Sequence, residues 1–461
     1  MIWTGRKEPC SGKIPGRFGK QGLTQTKPIP KCSLHRCFRA HKERTIMVSL
    51  SKGVLKFKSD AYERAKHFYE VLFLIHMVVV FAFYNTKMIA PIFGIGLFVA
   101  ALIVQFERNK NSVMIPFNTV WYFVLILFGA LSGMWAQFFT SYNVAFLVRL
   151  VVIMLICASI SIYVDDMEDL DRILSMFIAA SVIIVLLEFT AVPSDGWKNG
   201  GVGRYFSGIN PNDITVWIDF ATAAAFYRAY VNEKRWMYIV VALFIVFCSF
   251  SGSRKGMLAS VAAPLLIVVL STHKNGYALR VIAAVLLVAG LFLLVMENET
   301  LYSAIGKRLE RMFDTFKGED SDGSIRMRQH YIDVAKDMFR QSPIIGKGMG
   351  NYSRILESEY ASGNFYSHNN YWQILSEMGM IGALIYFSMY AYCLVSFIRG
   401  YFIQKRKIAI LFLTAILMMI VLDTGIVSYC TKYGQMIITL CYCGTYAMKT
   451  DGGRRYRYEK A

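Results

Sequence analysis

The stretch 367-SHNNYWQILSEMGMIGALIYF-387 places a polar opening directly before a long apolar run. The apolar run still carries a carboxylate, Glu377, about two helical turns inside. On a helix, Asn370, Gln373 and Glu377 lie at i, i+3 and i+7, so their side chains form one polar stripe. Polar groups at membrane depth are costly unless they face a bundle interior or a wet cavity. The stretch therefore predicts either a functional site or a helix cap followed by a structural Glu.

The whole chain has the composition of a polytopic membrane protein. Of its 461 residues, 55% are hydrophobic and 15% aromatic, whereas only 18% are charged. Apolar runs long enough to cross about 30 Å of hydrocarbon recur along it. They predict an all-α polytopic membrane protein with about twelve transmembrane helices. The predicted spans are residues 69–84, 88–105, 119–139, 144–164, 173–191, 212–230, 236–250, 255–271, 277–296, 370–398, 407–422 and 434–448.

The formal net charge of +19 is concentrated at the N-terminus, where residues 1–46 carry eleven Lys or Arg and two Glu. Such a stretch is too polar to bury a core, so we expect a disordered tail, with Met47 as the biological start. This basic tail and a positive-inside bias account for the charge, so we expect no nucleic-acid partner. The nine Cys are scattered and indicate no disulfide framework.

Lys and Arg concentrate in alternate connections between the predicted spans, which predicts that both termini are cytoplasmic. Residues 47–68 would then form a cytoplasmic lead-in to nine helices within 69–296. Residues 297–369 would form one long extracytoplasmic loop containing short helices. Three helices within 370–448 and a basic cytoplasmic tail, 449–461, would complete the chain.

This topology places several basic stretches on the external face. The glycine-rich loop 192–211 carries Arg204, and the turn 250-FSGSRKGM-257 carries Arg254. An Arg fork suits bidentate phosphate binding, although a flexible hairpin and a snorkelling interfacial Arg are the ordinary alternatives.

The segment 325–353 is basic as well, with Arg326 and Arg328 near its start. Apolar residues recur in it at helical spacing and predict an amphipathic helix at the interface. These residues are Tyr331, Val334, Ala335 and Met338. The glycines at 346, 348 and 350 make only a weak phosphate-loop motif, because no strand–loop–helix pattern surrounds them.

In order along the chain, the motifs are Arg204, Ser-Gly-Ser-Arg254, Gly346-Lys-Gly-Met-Gly-Asn-Tyr352, His368-Asn-Asn-Tyr371 and Glu377-Met-Gly-Met-Ile-Gly382. This set resembles the O-antigen ligase and O-antigen polymerase superfamily of membrane glycosyltransferases. The resemblance covers about residues 120–400 and is strongest at 343–387. It implies transfer or polymerisation of oligosaccharide from an undecaprenyl-diphosphate carrier on the outer face of the cytoplasmic membrane, during synthesis of O-antigen, capsule or exopolysaccharide. The implied partners are a polyprenyl-diphosphate-linked oligosaccharide donor, a glycan or lipid-glycan acceptor and the lipid bilayer.

The resemblance also implies roles for individual residues. The His before the late membrane helix acts on the acceptor hydroxyl, so His368 is the candidate base. External arginines hold the donor diphosphate, so Arg204 and Arg254 are its candidate ligands, and Arg328 matches less surely. We add Glu377 as a catalytic candidate from the polar stripe. Asn369, Asn370 and Tyr371 are the candidate supporting residues.

The chemistry is consistent with these roles. Arg can stabilise departing phosphates without a metal, and a His can accept the proton of the attacking hydroxyl. Since no Asp-x-Asp lies convincingly on the external face, we expect metal-independent, inverting transfer and no cofactor.

A flippase or another multispan transporter is the main alternative. It would place charges along a path through the membrane, often with internal repeats. Arg149 and Asp219 lie within predicted spans and are compatible with it, but we find no repeat. Within the enzyme hypothesis, the motifs do not separate a ligase from a polymerase, and they do not identify the sugar or the acceptor.

Overall fold

The computed structural model describes residues 60–82, 89–109, 114–193, 196–197, 202–203, 205–271, 277–297, 302, 306, 310 and 323–458, and these contain no strand. The predicted tail, residues 1–46, and Arg204 lie outside the described residues. The long helices are α1 (Asp60–Ala82), α2 (Ile89–Asn109), α3 (Phe117–Leu131), α4 (Ser141–Tyr163), α5 (Met167–Ala191), α6 (Pro211–Tyr230), α7 (Met237–Phe250), α8 (Arg254–Leu270), α9 (Tyr277–Glu297), α10 (Gly323–Gln341), α11 (Tyr352–Glu359), α12 (Asn370–Phe402), α13 (Ile408–Leu422) and α14 (Lys432–Tyr458).

A helix occupies each of the twelve predicted spans. Among the described residues, six helices are long and apolar enough to cross a membrane, namely α1 to α5 and α12. Two shorter apolar helices, α7 and α13, accompany them. The all-α, multi-pass character of the chain is therefore confirmed, whereas the number of twelve spans stays a prediction.

Polar contacts explain the three largest differences between the predicted and observed helix ends. Helix α1 begins inside the predicted lead-in because Lys66 ion-pairs with Asp169 at 2.5 Å. Helix α3 ends early, followed by a short 3₁₀ turn, where the Ser132 hydroxyl accepts the Met349 amide at 2.9 Å. Helix α14 continues into the predicted basic tail, where Thr450 donates to the Asp165 carbonyl at 3.2 Å.

The two ends of the helix bundle have different polar contacts. At the end where α12 finishes and α13 begins, which we call the far end, ion pairs join α1, α2 and α6 to α5. Asp169 accepts from Lys66 and, at 3.4 Å, from Arg108, while Arg228 contacts Asp171 at 2.6 Å. The other end, where α12 begins, we call the site end. It carries the candidate residues and the connections that hold them.

Helices α10 and α11 form a small satellite core against the start of α12. The four apolar residues predicted at helical spacing, Tyr331, Val334, Ala335 and Met338, are all buried there. They pack with Tyr352, Ile355 and Leu356 of α11, and Trp372 of α12 lies against them. An amphipathic helix is present where the spacing predicts one, and its apolar face packs against protein. Its position at the membrane interface stays a prediction.

Helix α12 is broken at Gly379, whose φ of 62° and ψ of −164° are accessible almost only to glycine. The preceding loop pairs with the backbone freed by this break. Met380 and Ile381 donate to the carbonyls of Pro343 and Ile344 at 2.9 and 3.1 Å. In return, the backbone amides of Lys347 and Gly348 donate to the backbone carbonyls of Ser376 and Glu377, both at 2.9 Å. These amides are used in the fold, which agrees with the weakness of the phosphate-loop motif.

Candidate functional site

His368 lies two residues before α12 in a left-handed backbone conformation, with a φ of 56°. Its half-buried ring packs between two tyrosines. The Tyr366 ring centroid lies 4.1 Å from that of His368. The Tyr331 ring stacks on the His368 ring, with centroids 6.0 Å apart and an interplanar angle of 19°. Such strain persists only where neighbours hold the chain, and it clusters at functional sites. Here Ser367 donates its amide to the Gln373 side chain at 2.8 Å.

Two cations approach this ring from separate helices. Arg328 belongs to α10 and Lys255 to α8, and both side chains are half-buried. Burial, together with the positive charges of Arg328 and then Lys255, lowers the pKa of His368 to about 4. The imidazole is therefore neutral at neutral pH and can accept a proton. The site also has an excess of positive charge, which suits an anionic ligand.

The loop that follows Arg204 contacts the same site. Buried Glu188 of α5 accepts the Ser207 amide at 3.1 Å and its hydroxyl at 2.5 Å, which fixes the loop against the bundle. Further along, the side-chain amide of Asn210 donates to the hydroxyl of Tyr366 at 3.5 Å. Since Tyr366 packs on His368, the described part of this loop borders the candidate base.

Arg254 is the first residue of α8, and Lys255 is the second. Ser253 caps this helix by accepting the Gly256 amide at 3.1 Å, and its hydroxyl donates to Asn212 at 3.0 Å. The start of α8 is thus fixed to the start of α6. Lys255 donates to the Gly425 carbonyl at 2.6 Å, which connects α8 to the segment between α13 and α14.

Glu377 is only 2% exposed and accepts hydrogen bonds from three groups. They are the Tyr352 amide at 3.2 Å, the Gln373 side chain at 2.8 Å and the Tyr429 hydroxyl. Gln373 in turn accepts the amide of Ser367, the residue before His368. A continuous hydrogen-bonded path therefore connects Glu377 to the backbone that presents the imidazole.

The candidate supporting residues hold the end of α13 and the segment that follows it. Asn369 caps α12 by accepting the Trp372 amide at 3.0 Å, and it donates to the Thr424 carbonyl. Asn370 donates to the Asp423 carboxylate at 3.0 Å. The Tyr371 hydroxyl donates to the Ile420 carbonyl at 2.7 Å. These side chains contact backbone carbonyls and a carboxylate, so they fix the start of α12 to the end of α13 and the residues after it. We call this set of contacts the brace.

Comparison with protein families gives a match over part of the chain. Residues 239–387 match the family model described as O-antigen ligase, a segment from α7 to the middle of α12. The resemblance to the O-antigen ligase and polymerase superfamily is confirmed. No curated protein matches the chain. The matched O-antigen ligase segment contains His368, Glu377, Arg254, Arg328 and Lys255, whereas Arg204 precedes it.

The sequence analysis missed two residues at the site end, Lys255 and Asp423. Lys255 stands beside Arg254 in the quoted turn, so its position was the available signal. Asp423 directly follows the apolar run of α13 and is fully buried. It accepts from Asn370, from Tyr390 at 2.8 Å and from Ser428 at 2.6 Å, and burial raises its pKa to about 7. A lone carboxylate after an apolar run was the signal there.

Among the described residues, no group of three or more His, Cys, Asp or Glu side chains could hold a metal ion. The polar groups that converge on His368 are cations and hydroxyls. Such a set binds anions, which is compatible with the lipid-linked glycans that the O-antigen ligase family implies as substrates.

Proposed function

We propose that this membrane protein transfers an oligosaccharide from a polyprenyl-diphosphate carrier to a hydroxyl of a glycan or lipid-glycan acceptor. The observation that carries the proposal is the convergence of Arg328 and Lys255 on a neutral, half-buried His368. The family match supports a role of the O-antigen ligase or polymerase type. We further propose that the site end faces outward from the cytoplasmic membrane, where the Lys and Arg distribution predicts it.

In the proposed mechanism, the two cations, together with Arg254 and Arg204, bind the donor diphosphate and stabilise the charge that develops as it leaves. Bound phosphates also offset the positive charges that lower the pKa of His368, so its basicity rises when the donor is in place. His368 then removes the proton from the acceptor hydroxyl as that oxygen attacks the anomeric carbon. Attack opposite to the leaving diphosphate inverts the configuration, and no step needs a metal.

Glu377 has a positioning role in this proposal. Its carboxylate lies away from open surface and acts on His368 through Gln373 and Ser367. Asn369, Asn370 and Tyr371 support the same region by bracing the segment after α13.

The test is transfer from a purified polyprenyl-diphosphate oligosaccharide by the protein in lipid nanodiscs. Loss of a general base lowers turnover by about 10²–10⁴-fold, so His368→Ala should be strongly impaired. His330→Ala is the matched control. This exposed histidine is hydrogen-bonded to Ser362 and has no role in the proposed reaction, so the variant should stay active. Arg254→Lys keeps the charge but loses the bidentate fork, and it should also be slow.

Full activity of His368→Ala would remove the proposed base, and loss of wild-type activity with a chelator would replace the arginine mechanism by a metal one. A protein that only moved lipid-linked glycan would form no new glycosidic bond. Chain length of the product separates a polymerase, which extends the glycan, from a ligase, which attaches it unchanged.

A further inference from the structure

A cavity of about 270 Å³ opens at the far end of the bundle, where α5 and α13 begin and α6 ends. One wall is apolar and comes from separate helices. Leu170 and Leu174 of α5, Ile408 of α13 and Met448 of α14 line it. The two leucines and Met448 are buried, so this wall is part of the packed core.

The rest of the lining includes three cations. Arg228, Arg406 and Lys407 border the cavity, and Asp171 is the one carboxylate that lines it. Asp171 already accepts from Arg228 at 2.6 Å, so this carboxylate neutralises a charge that belongs to the same cluster. Arg406 and Lys407 add two further positive charges beside the apolar wall.

The position of the cavity separates it from the site around His368. Ile408 borders the cavity, whereas Leu422, at the other end of α13, precedes the Asp423 brace of the site end. The 15 residues of α13 span roughly 22 Å at 1.5 Å per residue. A single diphosphate group therefore does not reach both places.

We propose that this cavity binds an anionic phospholipid, with its phosphate against Arg406 and Lys407 and the start of an acyl chain along the apolar wall. An apolar cleft with a few convergent charged groups is the usual form of a ligand site. Basic pockets between membrane helices bind anionic lipid headgroups, and Arg and Lys both suit a phosphate. This lipid site is additional to the proposed transfer reaction, because none of the residues assigned to that reaction line the cavity.

The experiment measures binding of phosphatidylglycerol to the detergent-purified full chain by native mass spectrometry. Phosphatidylcholine with the same acyl chains is the reference lipid. The wild type should bind phosphatidylglycerol preferentially. The double variant Arg406→Gln/Lys407→Gln should bind it about tenfold more weakly, because two headgroup contacts are lost.

The matched control is Lys234→Gln/Arg235→Gln, which removes the same two charges from exposed positions at the far end, outside the cavity lining. It should bind like the wild type. Equal loss in both double variants would show general charge attraction and overturn the proposal, as would equal binding of the two lipids by the wild type. Full competition by an equimolar amount of sn-glycerol 3-phosphate would show that the ligand is a free phosphate and overturn the assignment to a lipid.

Discussion

His368 differs from an ordinary surface histidine in backbone and in charge environment. Its φ of 56° aims the ring between Tyr331 and Tyr366, and the flanking Ser367 is held by Gln373. Burial and the adjacent cations favour the neutral imidazole. A neutral imidazole is the protonation state that a general base requires.

The pH dependence of transfer should report this environment. With a pKa of about 4 instead of the usual 6.5, His368 stays unprotonated well into the acidic range. The acid limb of kcat/KM, which reports the free enzyme, should therefore lie near pH 4 and not near 6.5. Arg328→Gln removes one positive charge, so the pKa of His368 rises and the limb should move to higher pH.

Arg340→Gln is the control for this shift, because Arg340 is an exposed cation on the same helix as Arg328. Its limb should coincide with that of the wild type. Measurement of kcat/KM from about pH 3 to 8 in the wild type and both variants locates the limb separately from the change in donor affinity. An unmoved limb in Arg328→Gln would contradict the electrostatic account.

At the scale of elements, the break in α12 depends on close packing between the helix and the loop that precedes α11. Ile344 and Gly346 approach the helix so closely that a Cβ at Gly379 would lie 2.4 Å from the Ile344 carbonyl oxygen. The reciprocal Cβ at Gly346 would lie 2.4 Å from the Glu377 backbone carbon. Both positions also have positive φ. The loop and the helix therefore fit together only through glycine.

Gly379→Ala should destabilise the protein. A non-glycine residue in this conformation costs on the order of 1–3 kcal/mol, and the backbone clash adds to it. Gly96→Ala is the control, since its added Cβ would meet only Leu72 at 3.9 Å within a regular helix, where Ala is favoured over Gly. Thermal unfolding in detergent should show a lowered Tm for Gly379→Ala alone. Equal Tm values would show that α12 tolerates a side chain at its break.

The sequence predicts the helices of this protein well, because apolar periodicity and length depend on local residues alone. The ends of α1, α3 and α14 were misplaced because tertiary polar contacts set them, as the Lys66–Asp169 pair shows for α1. The resemblance to the O-antigen ligase and polymerase superfamily made His368 and the arginines candidates. It could not show that Lys255 lies beside His368, or that Asn370 braces Asp423, because these partners are 113 and 53 residues apart in the chain.

At the scale of the whole molecule, two sets of charged groups lie at opposite ends of the helices. The far end is held by Lys66, Arg108 and Arg228 with Asp169 and Asp171. The site end carries His368 and its cations. Which end faces the cytoplasm follows, in our interpretation, from the Lys and Arg of the short connections.

Cysteine labelling tests this orientation. A membrane-impermeant maleimide applied to spheroplasts should label Asn364→Cys, in an exposed turn at the site end, and should not label Lys405→Cys at the far end. Permeabilisation should restore labelling of Lys405→Cys, which controls for reactivity. The reverse pattern would place the candidate site in the cytoplasm and contradict the proposed function.

The brace around Asp423 also determines which segments can be exchanged between related proteins in a chimera. The segment that matches the family ends at residue 387, yet Asn370 and Glu377 within it are completed by Asp423, Ser428 and Tyr429. A chimera joined at residue 387 would pair one parent's Asn370 with the other parent's Asp423 carboxylate, and one parent's Glu377 with the other parent's Tyr429 hydroxyl. We therefore expect a working chimera to take residues 423–429 from the parent that supplies α12.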